Sequence, residues 1–197
     1  MDTPPILREF PHSFESARLL IRRPEPGDGA ELNAAVRETW ADLHEWMPWA
    51  IRRPTVEESE EVVRRAHAKF LSREDLMLFL FLKGSKTLVG GSGLHRIDWQ
   101  VPRFEIGYWC RERFQGKGYV TEAAGAIADF AERELGARRV EIRCDSQNER
   151  SLAIPPRIGF KREARLSCDR RHHLSGELRD TLVFARVAPD PKPRRSR

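Results

Sequence analysis

Gly116 and Gly118 lie in the run Arg113-Phe114-Gln115-Gly116-Lys117-Gly118-Tyr119, between an apolar stretch, Phe104–Cys110, and a long helical pattern from Val120. Residues without a Cβ let successive backbone N–H groups converge, and a helix N-terminus adds partial positive charge. This order of elements therefore makes a cradle for an anion such as a pyrophosphate. Arg111, Arg113 and Lys117 place cations beside it. The spacing is neither the Gly-x-Gly-x-x-Gly of a dinucleotide fold, with its acidic residue downstream, nor the Gly-Lys-Ser/Thr ending of a nucleotide phosphate loop. Taken alone, the run fits a phosphate cradle or a plain glycine-containing start of a helix.

A second block stands further on: Asn148-Glu149-Arg150-Ser151, then Gly159-Phe160, preceded by the strand-like Arg138–Cys144. Asn148 suits a helix N-cap. Glu105 is a lone carboxylate in an apolar strand, a setting that fits a base, an exposed acid or an ion-pair partner.

Together the two blocks resemble the GNAT superfamily of N-acetyltransferases, whose signature Gln/Arg-x-x-Gly-x-Gly/Ala lies between a strand and a long helix and is followed by an Asn-x-x-Ser…Gly-Phe element. Arg18-Leu19-Leu20-Ile21-Arg22, Leu43-x-x-Trp46-Met47-Pro48-Trp49, Glu105-Ile106-Gly107-Tyr108-Trp109 and Gly176-x-Leu178-x-Asp180 are similar to the RimJ/RimL type, the ribosomal-protein N-terminal acetyltransferases. The resemblance implies an α+β fold with a mixed, mainly antiparallel sheet of about seven strands, flanked by helices and splayed between residues 104–110 and 138–144. It also implies acetyl-CoA as co-substrate, no metal, and direct attack of a primary amine on the thioester without a covalent enzyme intermediate.

By the same resemblance, backbone N–H groups at Tyr108, Trp109 and Cys110 face the thioester oxygen. Arg113, Phe114, Gln115, Gly116, Lys117, Gly118 and Tyr119 hold the cofactor phosphates, and Asn148 contacts the cofactor. Glu105 is the candidate base or water-positioner. Many members carry a tyrosine seven residues after the asparagine, where this chain has Pro155, so Ser151 is the candidate proton donor to the thiolate. Trp46, Trp49 and Trp99 are expected around the acceptor or in the core. The acceptor is a protein or peptide N-terminus, with a small amine or non-catalytic cofactor binding as the competing readings.

The elements that must position these groups can be read from periodicity. Leu19–Arg23 reads as a strand after an irregular lead-in over residues 1–17. Asp28 with Glu31, and Thr55 with Glu58, have capping-box spacing at two helix starts. The second helix carries Val56, Val62, Val63, Ala66 and Phe70 at helical spacing. Leu76–Lys83 and Thr87–Ile97 read as a hairpin in which Gly90, Gly91 and Gly93 mark a bulge or a close approach. Strands over Phe160–Leu166 and Leu178–Val187 complete one domain, 18–187. Pro155-Pro156 removes two N–H donors, which predicts that the helix after Asn148 stops after about one turn and that Ile154 turns extended.

The chain has 197 residues, 40% of them hydrophobic and 33% charged, which suits one domain with a single core. No apolar run approaches the ~20 residues of a membrane span, and the first residues do not read as a secretory signal, so a cytoplasmic protein is expected. Cys110, Cys144 and Cys168 have no disulfide or metal spacing, and Cys110 and Cys144, each ending an apolar run, read as buried reduced thiols. The net charge of +5 is concentrated in Lys192, Arg194, Arg195 and Arg197, in a Pro-rich tail expected over 188–197. No nucleic-acid-binding motif accompanies that charge, and a homodimer is left open.

Overall fold

The computed structural model describes residues 3–189; from residue 190 onward the expected basic tail lies outside them. The first residues include a 3-10 turn at Pro5–Leu7 and a short strand, β1 (Ser13–Glu15). There follow β2 (Leu19–Arg22), α1 (Gly29–Glu38), α2 (Trp40–Trp46), α3 (Val56–Ser72), β3 (Leu76–Leu82), β4 (Leu88–Asp98) and β5 (Arg103–Cys110). The second half holds α4 (Tyr119–Glu134), β6 (Arg139–Asp145), α5 (Glu149–Leu152), α6 (Ile154–Arg157), β7 (Lys161–Arg171) and β8 (Leu178–Val187).

The strands form one eight-stranded sheet in the order β1-β2-β3-β4-β5-β6-β8-β7. Every neighbouring pair is antiparallel except β5 and β6, which are parallel. On one face α4 packs with Ala123, Ala124, Ile127, Ala128 and Ala131 buried, small residues that let the helix lie close to the sheet. Full burial of a side chain the size of Ile127 stabilises the fold by roughly 1.5–3 kcal/mol. On the other face Leu32, Val36, Val63, Phe79, Phe81 and Leu88 form a second core beneath α1 and α3.

One of the two expected capping boxes forms. Thr55 accepts from the Glu58 N–H (3.2 Å) and Glu58 accepts from the Thr55 N–H (2.9 Å). Asp28 caps nothing with its side chain, because Arg22 holds its carboxylate through two contacts of 2.7 Å. Glu31 turns instead to the Leu88 N–H and to Arg111. Of the apolar positions predicted on α3, Val63, Ala66 and Phe70 are buried, whereas Val56 and Val62 lie exposed. The glycine run in β4 is a close approach: at Gly91 a Cβ would lie 2.4 Å from the Trp109 indole nitrogen.

The double proline does end a helix after one turn, α5. Ile154, however, is not extended but opens α6, which places both prolines inside a new first turn. N–H groups there lack helical partners in any case, so the prolines are tolerated.

Candidate active site

Parallel pairing of β5 with β6 is confined to Arg103–Glu105 against Arg139–Glu141. Beyond these residues the strands part, and the N-termini of α4 and α5 stand at the opening. A cavity of about 610 Å³ fills the gap. Of the residues singled out from the sequence, Trp46, Tyr108, Trp109, Cys110, Phe114, Gln115, Gly116, Gly118, Tyr119, Asn148 and Ser151 line it. Glu105, Arg113, Lys117, Trp49 and Trp99 do not.

The cradle is made by backbone. Gly116 (φ +71°) and Gly118 (φ +79°) occupy the left-handed region, which glycine enters without strain. Gly118 is the N-cap of α4 and has no side chain to satisfy the first-turn N–H groups, which therefore remain for an anion. The neighbouring cations serve the scaffold. Arg113 pairs with Glu38, and Lys117 Nζ donates to the Arg113 carbonyl (2.8 Å). Hydrogen bonds from Arg113, and then from the buried Arg111, hold the Glu38 carboxyl down at about 2. Arg18 braces the loop from the other side. It donates to the Lys117 carbonyl (3.0 Å) and to Glu122 (2.6 Å) and lies over the Tyr119 ring. Gln115 and Arg150 both bond Asp42 of α2 (2.7 and 3.2 Å), tying the loop and α5 to that helix.

At the far side of the gap Asn148 Oδ1 accepts the Ser151 N–H (3.0 Å) and so fixes the start of α5. Ser151 Oγ lies 3.1 Å from Cys144 Sγ and donates to the Tyr108 hydroxyl (3.3 Å). The Tyr108 hydroxyl donates to the Ser151 carbonyl (3.0 Å). Burial pushes the Tyr108 phenol and the Cys144 thiol up, and the Cys110 thiol to about 11. Burial thus disfavours the thiolate form of both cysteines beside the gap.

Strand alternation puts Glu105, Gly107 and Trp109 on one face of β5, the face turned to α1 and α3. Glu105 stands between Arg96 (3.3 Å) and Arg143 (3.6 Å), away from the cavity lining. Opposite it in register is His95, whose Nδ1 is 2.7 Å from Asp75 Oδ2. That pair escaped the sequence reading because its members are twenty residues apart in unrelated patterns. Trp49 is exposed. Trp99 packs edge-on to Phe104 and donates to the Arg73 carbonyl (3.0 Å), beside a separate cavity at the other end of the sheet. His172 and His173 bond the carbonyls of Glu45 and His44 in α2 (2.9 and 2.7 Å). Among the described residues no group of His, Cys, Asp or Glu is placed to hold a metal ion, and no helix is long and apolar enough to cross a membrane.

A mixed sheet splayed at its one parallel junction, with a glycine-bearing helix start on one lip and a capped serine on the other, has the form of a site for a phosphate-bearing ligand. Residues 18–161 match the family described as "Acetyltransferase (GNAT) domain". YdaF of Bacillus subtilis (strain 168), provisionally named a ribosomal N-acetyltransferase, is 31% identical over 151 residues, covering 75% of this chain and 80% of its own. The ribosomal-protein-serine acetyltransferase of Escherichia coli (strain K12) is 27% identical over 145 residues, 72% and 79% of the two chains. Among solved structures, a RimL ribosomal L7/L12 alpha-N-protein acetyltransferase in complex with coenzyme A superposes with a TM-score of 0.80 at 24% identity, over 87% of this chain and 95% of its own. The chain belongs to the GNAT acetyltransferase family and is an acetyl-CoA-dependent N-acetyltransferase.

Proposed function

We propose that this enzyme acetylates the N-terminal amine of a protein or peptide, with Ser151 returning the proton to the departing thiolate. The observation that carries the reading is a single cavity. Gly116 and Gly118, Ser151 and Tyr108, and Trp46, Met47 and Trp109 all line it. The residues fit the donor: two left-handed glycines and an uncapped helix start suit a pyrophosphate. Acetyl-CoA brings a thioester whose acyl carbon an amine can attack directly.

The chain's own groups then have three tasks. Backbone N–H groups of β5, freed where its pairing to β6 stops, donate to the developing oxyanion. Ser151 Oγ, held by the N-cap of Asn148, supplies a proton at the sulfur. The amine loses its proton on the face that carries Trp109, where Glu105 and His95 are the candidate acceptors beside the ion-paired Glu141 and Asp75. The relatives named for ribosomal-protein acetylation favour a protein N-terminus over a small amine, and the apolar far wall accommodates the first side chain of a peptide.

The test is the release of free coenzyme A thiol with each of a panel of peptides and small amines. Turnover with N-terminal peptides, abolished by blocking their α-amine, is expected. Turnover confined to small amines would overturn the acceptor assignment, and acetyl-CoA binding without turnover on any acceptor would overturn the catalytic reading.

A further inference from the structure

The turn that carries Ser151 has lost a backbone donor. In an unbroken helix the N–H of residue 155 would bond the carbonyl of Ser151, but residue 155 is proline and has none. The Tyr108 hydroxyl, projecting from β5 across the gap, donates to that same carbonyl at 3.0 Å. It also receives the Ser151 Oγ proton at 3.3 Å. One phenol therefore holds both the main chain and the side chain of Ser151. The Ala153 N–H that closes α5 is shared between the Glu149 and Ser151 carbonyls, so the phenol is the one undivided donor to Ser151 among the described residues.

We propose that Tyr108 is a positioning residue that substitutes for the helix donor deleted by Pro155, keeping Ser151 aimed into the cleft. The proposal rests on the reading of Ser151 as proton donor for its catalytic consequence but not for its structural one. Two features support it. The Tyr108 ring is half-buried, packed against the core, and its phenol is pushed up by desolvation, so the hydroxyl remains a donor. Cys144 Sγ, 3.1 Å from Ser151 Oγ, is the other polar atom on the hydroxyl and, as a weak donor and acceptor, cannot orient it alone.

The experiment is a double-mutant cycle on the full chain with Tyr108→Phe and Pro155→Ala, the second restoring an N–H at position 155. Tyr108→Phe should lower kcat about tenfold, the effect of one part-buried acceptor keeping only a share of the Ala153 N–H, while the KM for acetyl-CoA stays within about twofold. In the Pro155→Ala background the same change should lower kcat less than about threefold, because the restored N–H takes over the carbonyl. Equal losses in both backgrounds would overturn the proposal. Ser151→Ala supplies the control: on that background Tyr108→Phe should have no further effect on kcat. If Ser151→Ala itself turns over like the natural chain, the proton-donor reading fails, and the clamp is then decided by melting temperatures of the same Tyr108/Pro155 cycle. Non-additive temperatures support it and additive ones overturn it. A Tyr108→Phe protein that melts before it can be assayed, but is recovered by Pro155→Ala, gives the same support.

Discussion

At the cradle end of the cleft the groups that meet a ligand are backbone N–H groups, held by Gly116 and Gly118 in a loop six residues long. At the other end they are side chains, Trp46, Met47 and Trp109, delivered by α2 and β5 from positions some sixty residues apart. The first end depends on dihedral angles within one segment. The second depends on how distant segments are tied together: His172 and His173 to α2, Arg150 to Asp42, Trp109 over Gly91. One end is thus shaped by local backbone geometry and braced by Arg18, Glu38 and Asp42, and the other is assembled from side chains of distant elements.

Ser151 stands where the two ends meet, and removing its hydroxyl should produce the largest effect. Ser151→Ala is expected to lower kcat by about 100-fold or more, the usual contribution of a positioned acid, while calorimetric acetyl-CoA affinity is nearly unchanged. A wild-type rate would transfer the proton to solvent. The next largest effect belongs to the cradle. Gly118→Val forces a β-branched residue to a φ of +79°, at roughly 1–3 kcal/mol of strain. Coenzyme A should then bind about 10- to 100-fold more weakly, with the acceptor KM little altered. Equal weakening of both substrates would erase the distinction between the ends.

The contrast also explains what could be read from the chain. The helix α4 and the one-turn helix after Asn148 follow from local patterns, apolar periodicity and the proline pair, whereas the splay at β5 and β6 and the choice of a phosphate cradle over a plain helix start came only with the family resemblance. Capping by Asp28 was misjudged because Arg22, only six residues away but on another element, competes for the same carboxylate. Ile154 turned helical because a proline is welcome in a first turn, which periodicity could not distinguish from an extended break. Trp99 and the His95–Asp75 pair depend on where hairpin loops fold back, and no local pattern encodes that.

Glu105 and His95 sharpen the comparison on the acceptor face. If Glu105 takes the amine proton, Glu105→Gln should lower kcat about tenfold and change the acid limb of the rate profile, whereas His95→Gln should leave that limb in place. The reverse pattern would assign the proton to the histidine that Asp75 orients. Either result concerns the acceptor end, so the KM for acetyl-CoA should stay constant in both.

Glu38 anchors the cradle to α1 and gives a stability signature that the acceptor end lacks. Its carboxyl is held at about 2, below the usual 4.5, chiefly by Arg113 and then by Arg111. A carboxylate with a depressed folded-state value adds stability that is complete above about 4.5 and is lost as the pH falls through the interval down to about 2. Glu38→Gln should therefore flatten the decline of melting temperature across that interval. The change should be modest, since Arg113 is largely exposed and its pairing is screened. An unchanged acid limb would mean that Arg111 is satisfied by Glu31 alone.

The smallest effect is expected from the histidines that tie the β7–β8 hairpin to α2. Each gives one hydrogen bond to a carbonyl in the last turn of a seven-residue helix, at 2.9 Å for His172 and 2.7 Å for His173. These carbonyls lack partners within the helix, so the two bonds also cap it. Replacing both by alanine removes about 1 kcal/mol of net bonding per residue, and the wall that carries Trp46 and Met47 should loosen. The acceptor KM should rise about three- to tenfold while the KM for acetyl-CoA stays put, because the cradle shares no contact with the hairpin. A matched rise in both constants would show that α2, through Asp42 and its bonds to Gln115 and Arg150, transmits the disturbance to the loop, and the two ends would then have to be treated as one mechanical unit.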